Sequence, residues 1–182
     1  MRLFTAIDIS EEVRAGLGAM LDRVRPLANL RWSPVENLHV TTKFIGEWRE
    51  GRVGEVETAL AKVTRPGLIE IAIRGLVWFP NPHSPRVFCA GVQGGESLEA
   101  LRKDTEQALA ALGIVPEKRD FRPHLTLART REGGSQESLG ALRRAVESLD
   151  TDQFGCFRAA AQILYLSAGG RYTPLREFSL LP

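Results

Sequence analysis

The chain has 182 residues, 43% hydrophobic and 25% charged, which is ordinary globular usage and excludes a disordered or fibrous protein. Its apolar runs, such as Ala159 to Leu166, fall far short of the roughly 20 residues that a membrane span needs, and residues 1–9 hold one basic group and no signal-type apolar core. With 24 Lys and Arg against 22 Asp and Glu the formal charge is only +2, so an anionic ligand would have to be met by locally gathered arginines. Cys89 and Cys156 lie in apolar stretches without C-x-x-C spacing and read as buried, reduced thiols. A soluble protein of the cytoplasm is expected.

Leu3 to Ile9 alternates as a strand does, and Asp8 or Ser10 is placed to cap a helix begun by Glu11 and Glu12. Val13, Leu17, Met20, Leu21 and Val24 recur at helical spacing up to Pro26. A short strand at Leu30 to Ser33 and a turn at residues 34–37 lead to a strand over Leu38 to Ile45, closed by Gly46. Next come a helix over Arg52 to Val63, a strand over Leu68 to Phe79, a Pro-rich break at 80–85 and a strand over Arg86 to Val92. The rhythm repeats with a helix over Glu96 to Leu112, a strand over Arg122 to Arg129, and a helix from Glu137 to Leu149 after Gly133-Gly134-Ser135. Strands over Phe157 to Ala168 and Tyr172 to Leu180 flank Gly169-Gly170. The short links at 80–85 and 169–171 favour antiparallel neighbours over a parallel sheet, hence an α+β fold. No low-complexity linker divides the chain, so any two lobes are packed together.

Two of the three histidines head near-copies of one phrase, His39-Val40-Thr41-Thr42-Lys43-Phe44 and His124-Leu125-Thr126-Leu127-Ala128-Arg129. Side chains alternate along a strand, so His39 shares a face with Thr41, and His124 with Thr126. One copy would be an ordinary polar pair on a sheet. Two copies, in matching positions of similar helix-and-strand units, describe a site between two lobes. Neither histidine has a His, Cys or carboxylate at i+2, so no metal is expected, and no Gly-x-Ser-x-Gly elbow or P-loop is present. Hydrolysis of a phosphodiester needs one group to deprotonate water and another to protonate the leaving oxygen, and two imidazoles titrating near neutrality can do both. Threonine hydroxyls can donate to the non-bridging phosphoryl oxygens.

At these residues the chain resembles the two-histidine phosphoesterase superfamily, in its branch of 2′-5′ RNA ligases or RNA 2′,3′-cyclic phosphodiesterases. The likeness includes Arg2 to Asp8, Arg31-Trp32 through Asn37-Leu38-His39-Val40-Thr41, Lys43 to Gly46, Pro85 to Phe88 and Phe121 to Arg129. Thr42 departs from the apolar residue usual in the family, and on the face away from His39 it should alter packing more than catalysis. The resemblance implies a single bilobal domain over residues 1–182, with pseudo-twofold lobes, two antiparallel sheets lining a central cleft and helices outside. It also implies cofactor-free opening of a terminal ribose 2′,3′-cyclic phosphate to a 2′-phosphate, with reversible 2′-5′ ligation in some members. Its partners would be RNA 3′ ends or cyclic nucleotides, met by a monomer. His39 and His124 become the acid and base, His39 the acid if the 3′ oxygen leaves beside it, and Thr41 and Thr126 the phosphate ligands. A module that binds RNA ends or nucleotides without turnover is the alternative.

Supporting roles are less sharply marked. Arg129 ends its strand on the parity opposite His124, yet the family match points to substrate. Lys43 shares parity with His39 and Thr41 and reads as lining the cleft or as solvated. Arg119 and Arg122 flank Phe121 and read either as holding an RNA end by charge and stacking or as a solvated loop before the strand, and Arg86, after the Pro-rich loop, reads as reaching RNA phosphates or as solvated. Phe44, Phe88 and Phe157 are expected in the core, Trp32 beneath its turn, and His83 in a loop.

Overall fold

A computed structural model of the chain describes residues 1–131, 139–149 and 154–181. Nine strands and four helices follow one another as β1 (Arg2–Asp8), α1 (Glu11–Val24), β2 (Arg31–Trp32), β3 (His39–Glu47), α2 (Val53–Leu60), β4 (Ile69–Phe79), β5 (Val87–Gln93), α3 (Gly95–Ala110), β6 (His124–Arg129), α4 (Gly140–Glu147), β7 (Gly155–Ala159), β8 (Ala161–Ala168) and β9 (Arg171–Ser179) among the described residues. They form two sheets, ordered β3-β1-β8-β9 and β2-β6-β5-β4-β7, in which every pairing is antiparallel. The α+β, antiparallel reading therefore holds.

α1 buries Val13, Leu17, Met20, Leu21 and Val24, the stripe expected from its spacing, and Ser10 caps it by accepting from the Val13 N–H at 3.3 Å. Asp8 takes no part in that cap and ends β1 instead. One apolar cluster joins Ile7 and Val40 of the first sheet to Ile69, Ile71, Ile73, Phe88 and Leu125 of the second, beneath α1 and α4. A smaller one places Leu3 and Leu164 under Val56 and Leu60 of α2 and Leu109 of α3. The opposite faces of the sheets are left for the cleft.

Several boundaries differ from expectation. The expected strand over Phe157 to Ala168 is two strands, because the chain passes at Ala160 from the second sheet to the first. Arg158 to Gln162 holds no Gly or Pro to punctuate the crossing. Gly46 lies within β3 at φ 85°, where the register against β1 shifts, so it bends the strand without ending it. The helix expected over Arg52 to Val63 is regular only over α2, and the start expected near Glu137, with Gly133-Gly134-Ser135, falls outside the described residues. Cys89 is buried but Cys156 is exposed.

The register shifts in the two histidine strands carry the largest correction. Ala6 pairs with Thr41 and Thr5 with Lys43, so Thr42 is an extra residue; Cys89 pairs with Thr126 and Phe88 with Ala128, so Leu127 is another. Each bulge lies three residues after its histidine, and beyond it the alternation inverts. Thr42 and Lys43 both turn inward, as do Leu127 and Ala128, while Phe44 and Arg129 return to the histidine face, exposed. Phe44 is 59% exposed and no core residue. Thr42 joins a buried polar cluster with Thr5 (2.8 Å) and Gln162 (2.7 Å), in keeping with a packing role.

Lys43, expected along the cleft or in solvent, is 5% exposed, with its Nζ 2.9 Å from Glu106 of α3 and 2.8 Å from the Val115 carbonyl. It is therefore no substrate ligand. Removing one partner of a buried ion pair strands the other, at a cost of about 3–5 kcal/mol, whereas replacing the pair with apolar groups is far milder. Glu106→Leu should accordingly destabilise strongly in denaturant unfolding, and Lys43→Met in the same chain should restore most of the loss.

Candidate active site

The register of β3 against β1 places His39 opposite Asp8, and that of β6 against β5 places His124 opposite Gly91. The two histidine strands face one another across the cleft, close enough for the charge of His124 to act on His39. Each imidazole is held in the same way. Nδ1 of His39 lies 2.8 Å from the Asn37 carbonyl and Nδ1 of His124 lies 2.7 Å from the Arg122 carbonyl, in both cases the residue two before. A carbonyl can only accept, so Nδ1 carries the hydrogen and Nε2 holds the lone pair of each neutral ring. Nε2 of His39 lies 3.1 Å from Thr41 Oγ1. The expected grouping of each histidine with its threonine is thus present on both strands, half-buried in all four positions.

The surroundings of the two rings differ. Burial pushes the His39 pKa below its ordinary 6.5, an effect reinforced by His124 and opposed by the Asn37 carbonyl and the Asp8 charge. Phe4, Tyr165 and Tyr172 surround it with ring centroids at 4.9, 6.4 and 5.1 Å. The Tyr165 hydroxyl donates to both Asp8 carboxylate oxygens, at 2.8 and 2.9 Å, and burial together with that carboxylate holds the phenol protonated. Asp8, Glu36, His39, Tyr165 and Tyr172 line a hollow of about 130 Å³. A larger hollow, about 700 Å³, lies between α2 and α3 and touches neither histidine. On the second strand, Phe79 lies 5.2 Å from His124 between ring centroids, and the buried Cys89 stands opposite Thr126 across the ladder, its thiol pushed up to about 12 by desolvation.

Arg129, expected on the wrong face, is carried by the Leu127 bulge to the side of His124 and Thr126. Arg122 is exposed and lends the site its backbone carbonyl. Arg86 is exposed where β5 begins, its N–H donating to Phe79 and its carbonyl accepting from Thr130. Arg119 pairs with Glu117 at 3.2 Å, and the guanidinium over Phe121 belongs to Arg102, 5.3 Å from the ring centroid. Phe88 is buried as expected, Phe157 and Trp32 are half-buried against the core, and His83 is exposed in its loop. The sequence reading passed over Asp8, Tyr165, Tyr172 and Phe79. Only the parity of Asp8 on β1 marks it, and the aromatic residues come together through tertiary folding.

Among the described residues no group of three His, Cys, Asp or Glu is arranged to hold a metal ion, and no helix is long and apolar enough to cross a membrane. The family model described as LigT like Phosphoesterase matches residues 7–89 and 92–165. A protein of Archaeoglobus fulgidus named RNA 2′,3′-cyclic phosphodiesterase is 32% identical over 179 residues, 98% of this chain and 99% of its own length. One of the same name from Methanothermobacter thermautotrophicus is 31% identical over 99% of each. A crystal structure from Thermus thermophilus superposes with a TM-score of 0.76 at 29% identity, covering 99% of this chain and 98% of its own, and Escherichia coli LigT complexed with 3′-AMP shares the fold at 0.77 and 24%, over 98% and 97%. A family match over both histidine strands, with relatives matching end to end, means that this chain belongs to the LigT-like phosphoesterases, of the two-histidine superfamily.

Proposed function

We propose that the protein opens RNA 2′,3′-cyclic phosphate ends by hydrolysis to a 2′-phosphomonoester, without a metal ion. The observation that carries this reading is the matched pair of imidazoles, each with Nδ1–H spent on a backbone carbonyl so that Nε2 is the nitrogen left for proton transfer, that of His39 beside the Thr41 hydroxyl. One Nε2 takes a proton from the attacking water while the other gives one to the departing ribose 3′ oxygen. The hydroxyls of Thr41 and Thr126 donate to the phosphoryl oxygens as charge builds on them. Two curated relatives matched over nearly their whole length carry the name of this activity. Both histidines come from one chain, which supports a monomer acting on its own, and free Cys89 and Cys156 suit the reducing cytoplasm.

The polarity we assign reverses the sequence expectation. Burial favours neutral His39 in the free protein, the form a base requires, and leaves the less enclosed His124 as the acid. The test is an oligonucleotide ending in a 2′,3′-cyclic phosphate, incubated with the protein in EDTA, with 2′- and 3′-phosphate products resolved. Ring opening to the 2′-phosphate is expected; activity only after metal addition would refute the mechanism.

The pH profile follows from the same geometry. A base must lose its proton to act, so kcat/KM rises with pH through the base limb, and with His39 as base that limb lies below the ordinary histidine value of 6.5. The Asp8 charge favours protonated His39, so Asp8→Asn should move the limb to still lower pH. A limb that stays put in Asp8→Asn would instead assign it to His124.

A further inference from the structure

The short edge strand β2 pairs Arg31 with Arg129 and Trp32 with Ala128. Residues paired across an antiparallel ladder point to the same face. Trp32 faces the core, its ring 6.1 Å from that of buried Phe88, which puts Arg31 on the other face, alongside Arg129, Thr126 and His124. Both arginines are exposed, and among the described residues no carboxylate pairs with either. Like charges directly opposite one another on a sheet repel, so the pairing costs stability unless an anion lies between them. On β6, Arg129 lies just past Thr126, which pairs with Cys89 as Arg129 pairs with Val87, so the basic pair adjoins the expected scissile-phosphate site.

We propose that Arg31 and Arg129 together grip the internucleotide phosphate immediately 5′ of the terminal nucleotide, so that this site takes polynucleotide ends in preference to cyclic mononucleotides. This rests on the phosphodiesterase reading above and adds its substrate class. The order along the second sheet is His124 and Thr126, then Arg129 on the same strand, then Arg31 one strand further out, about 4.8 Å away across the ladder. A ribose cyclic phosphate seated between the histidines therefore has its chain led over Arg129 and Arg31 to the open edge of the sheet. Two guanidiniums can each donate twice to one phosphodiester, and a cyclic mononucleotide has no such group to offer.

The test compares kcat/KM for a short RNA ending in a 2′,3′-cyclic phosphate with that for a 2′,3′-cyclic mononucleotide, in wild type, Arg31→Ala and Arg31→Lys. The RNA-to-mononucleotide ratio should fall about tenfold or more in Arg31→Ala, and the log–log dependence of RNA kcat/KM on salt should flatten by about one. Arg31→Lys should keep the salt slope and lose part of the ratio, because it retains charge but not the bidentate fork. Unchanged ratio and slope in Arg31→Ala would overturn the proposal. Should wild type open neither substrate, the phosphodiesterase reading fails on its own. Fluorescence anisotropy of a 3′-phosphate-ended RNA with wild type and Arg31→Ala then decides the arginine site, equal affinities overturning it. Thermal unfolding of each variant separates lost grip from lost fold.

Discussion

Replacing either histidine alone with alanine should lower turnover of cyclic-phosphate RNA by about 10² to 10⁴, the range contributed by a placed proton-transfer group. The double variant should lose less than the product of the two, because the imidazoles serve one proton inventory: once the base is gone, an acid waiting for its partner has little left to contribute. Steady-state turnover of the wild type, the two single variants and the double variant measures this directly, and strictly multiplicative losses would overturn the concerted pair. RNA affinity should survive in all of them. A protein that only binds RNA ends would show no turnover in any of the four, and that outcome would favour the binding module over the enzyme.

Thr41→Val and Thr126→Val should each lower turnover by up to about 10² to 10³, the loss seen when a donor aimed at developing charge is removed. Valine keeps the β-branched shape a strand favours, so the chain should still fold. The two are expected to differ in their side effects. Thr41 Oγ1 also contacts His39 Nε2, so its loss should disturb the pH profile as well as the rate. His124 has no such hydrogen bond to Thr126 among the described residues, so loss of the Thr126 hydroxyl should lower the rate with little change in the pH profile. Wild-type turnover in both variants would mean that the hydroxyls serve only the strands.

The grouping of each histidine with its threonine was legible because a strand's period of two, applied over only three residues, cannot drift far: His39 with Thr41 and His124 with Thr126 precede the bulges. Past Thr42 and Leu127 the same rule failed at once, misplacing Lys43, Phe44 and Arg129 together. A bulge is a pairing event between two strands, and the strand that contains it bears no mark of it. Helix α1 was legible down to each buried residue, since a local periodicity and a local cap determine it. The crossing at Ala160 and the aromatic enclosure of His39 depend on which sheet each strand joins, and neighbouring residues hold no record of that.

The carbonyl clamps on the two imidazoles have a mechanical consequence. Each ring is referenced to its own main chain, through Asn37 or Arg122, and neither takes its bearing from the other. The separation of the two imidazoles thus follows the spacing of the sheets, as the setting of a caliper does. α3 touches both jaws, packing on β3 of the first sheet and β4 of the second, and its Glu106 anchors Lys43, four residues along from His39. Loosening of that ionic joint would be read at the cleft as a change in opening, and in the proposed reaction that opening sets the reach to both the water and the leaving oxygen.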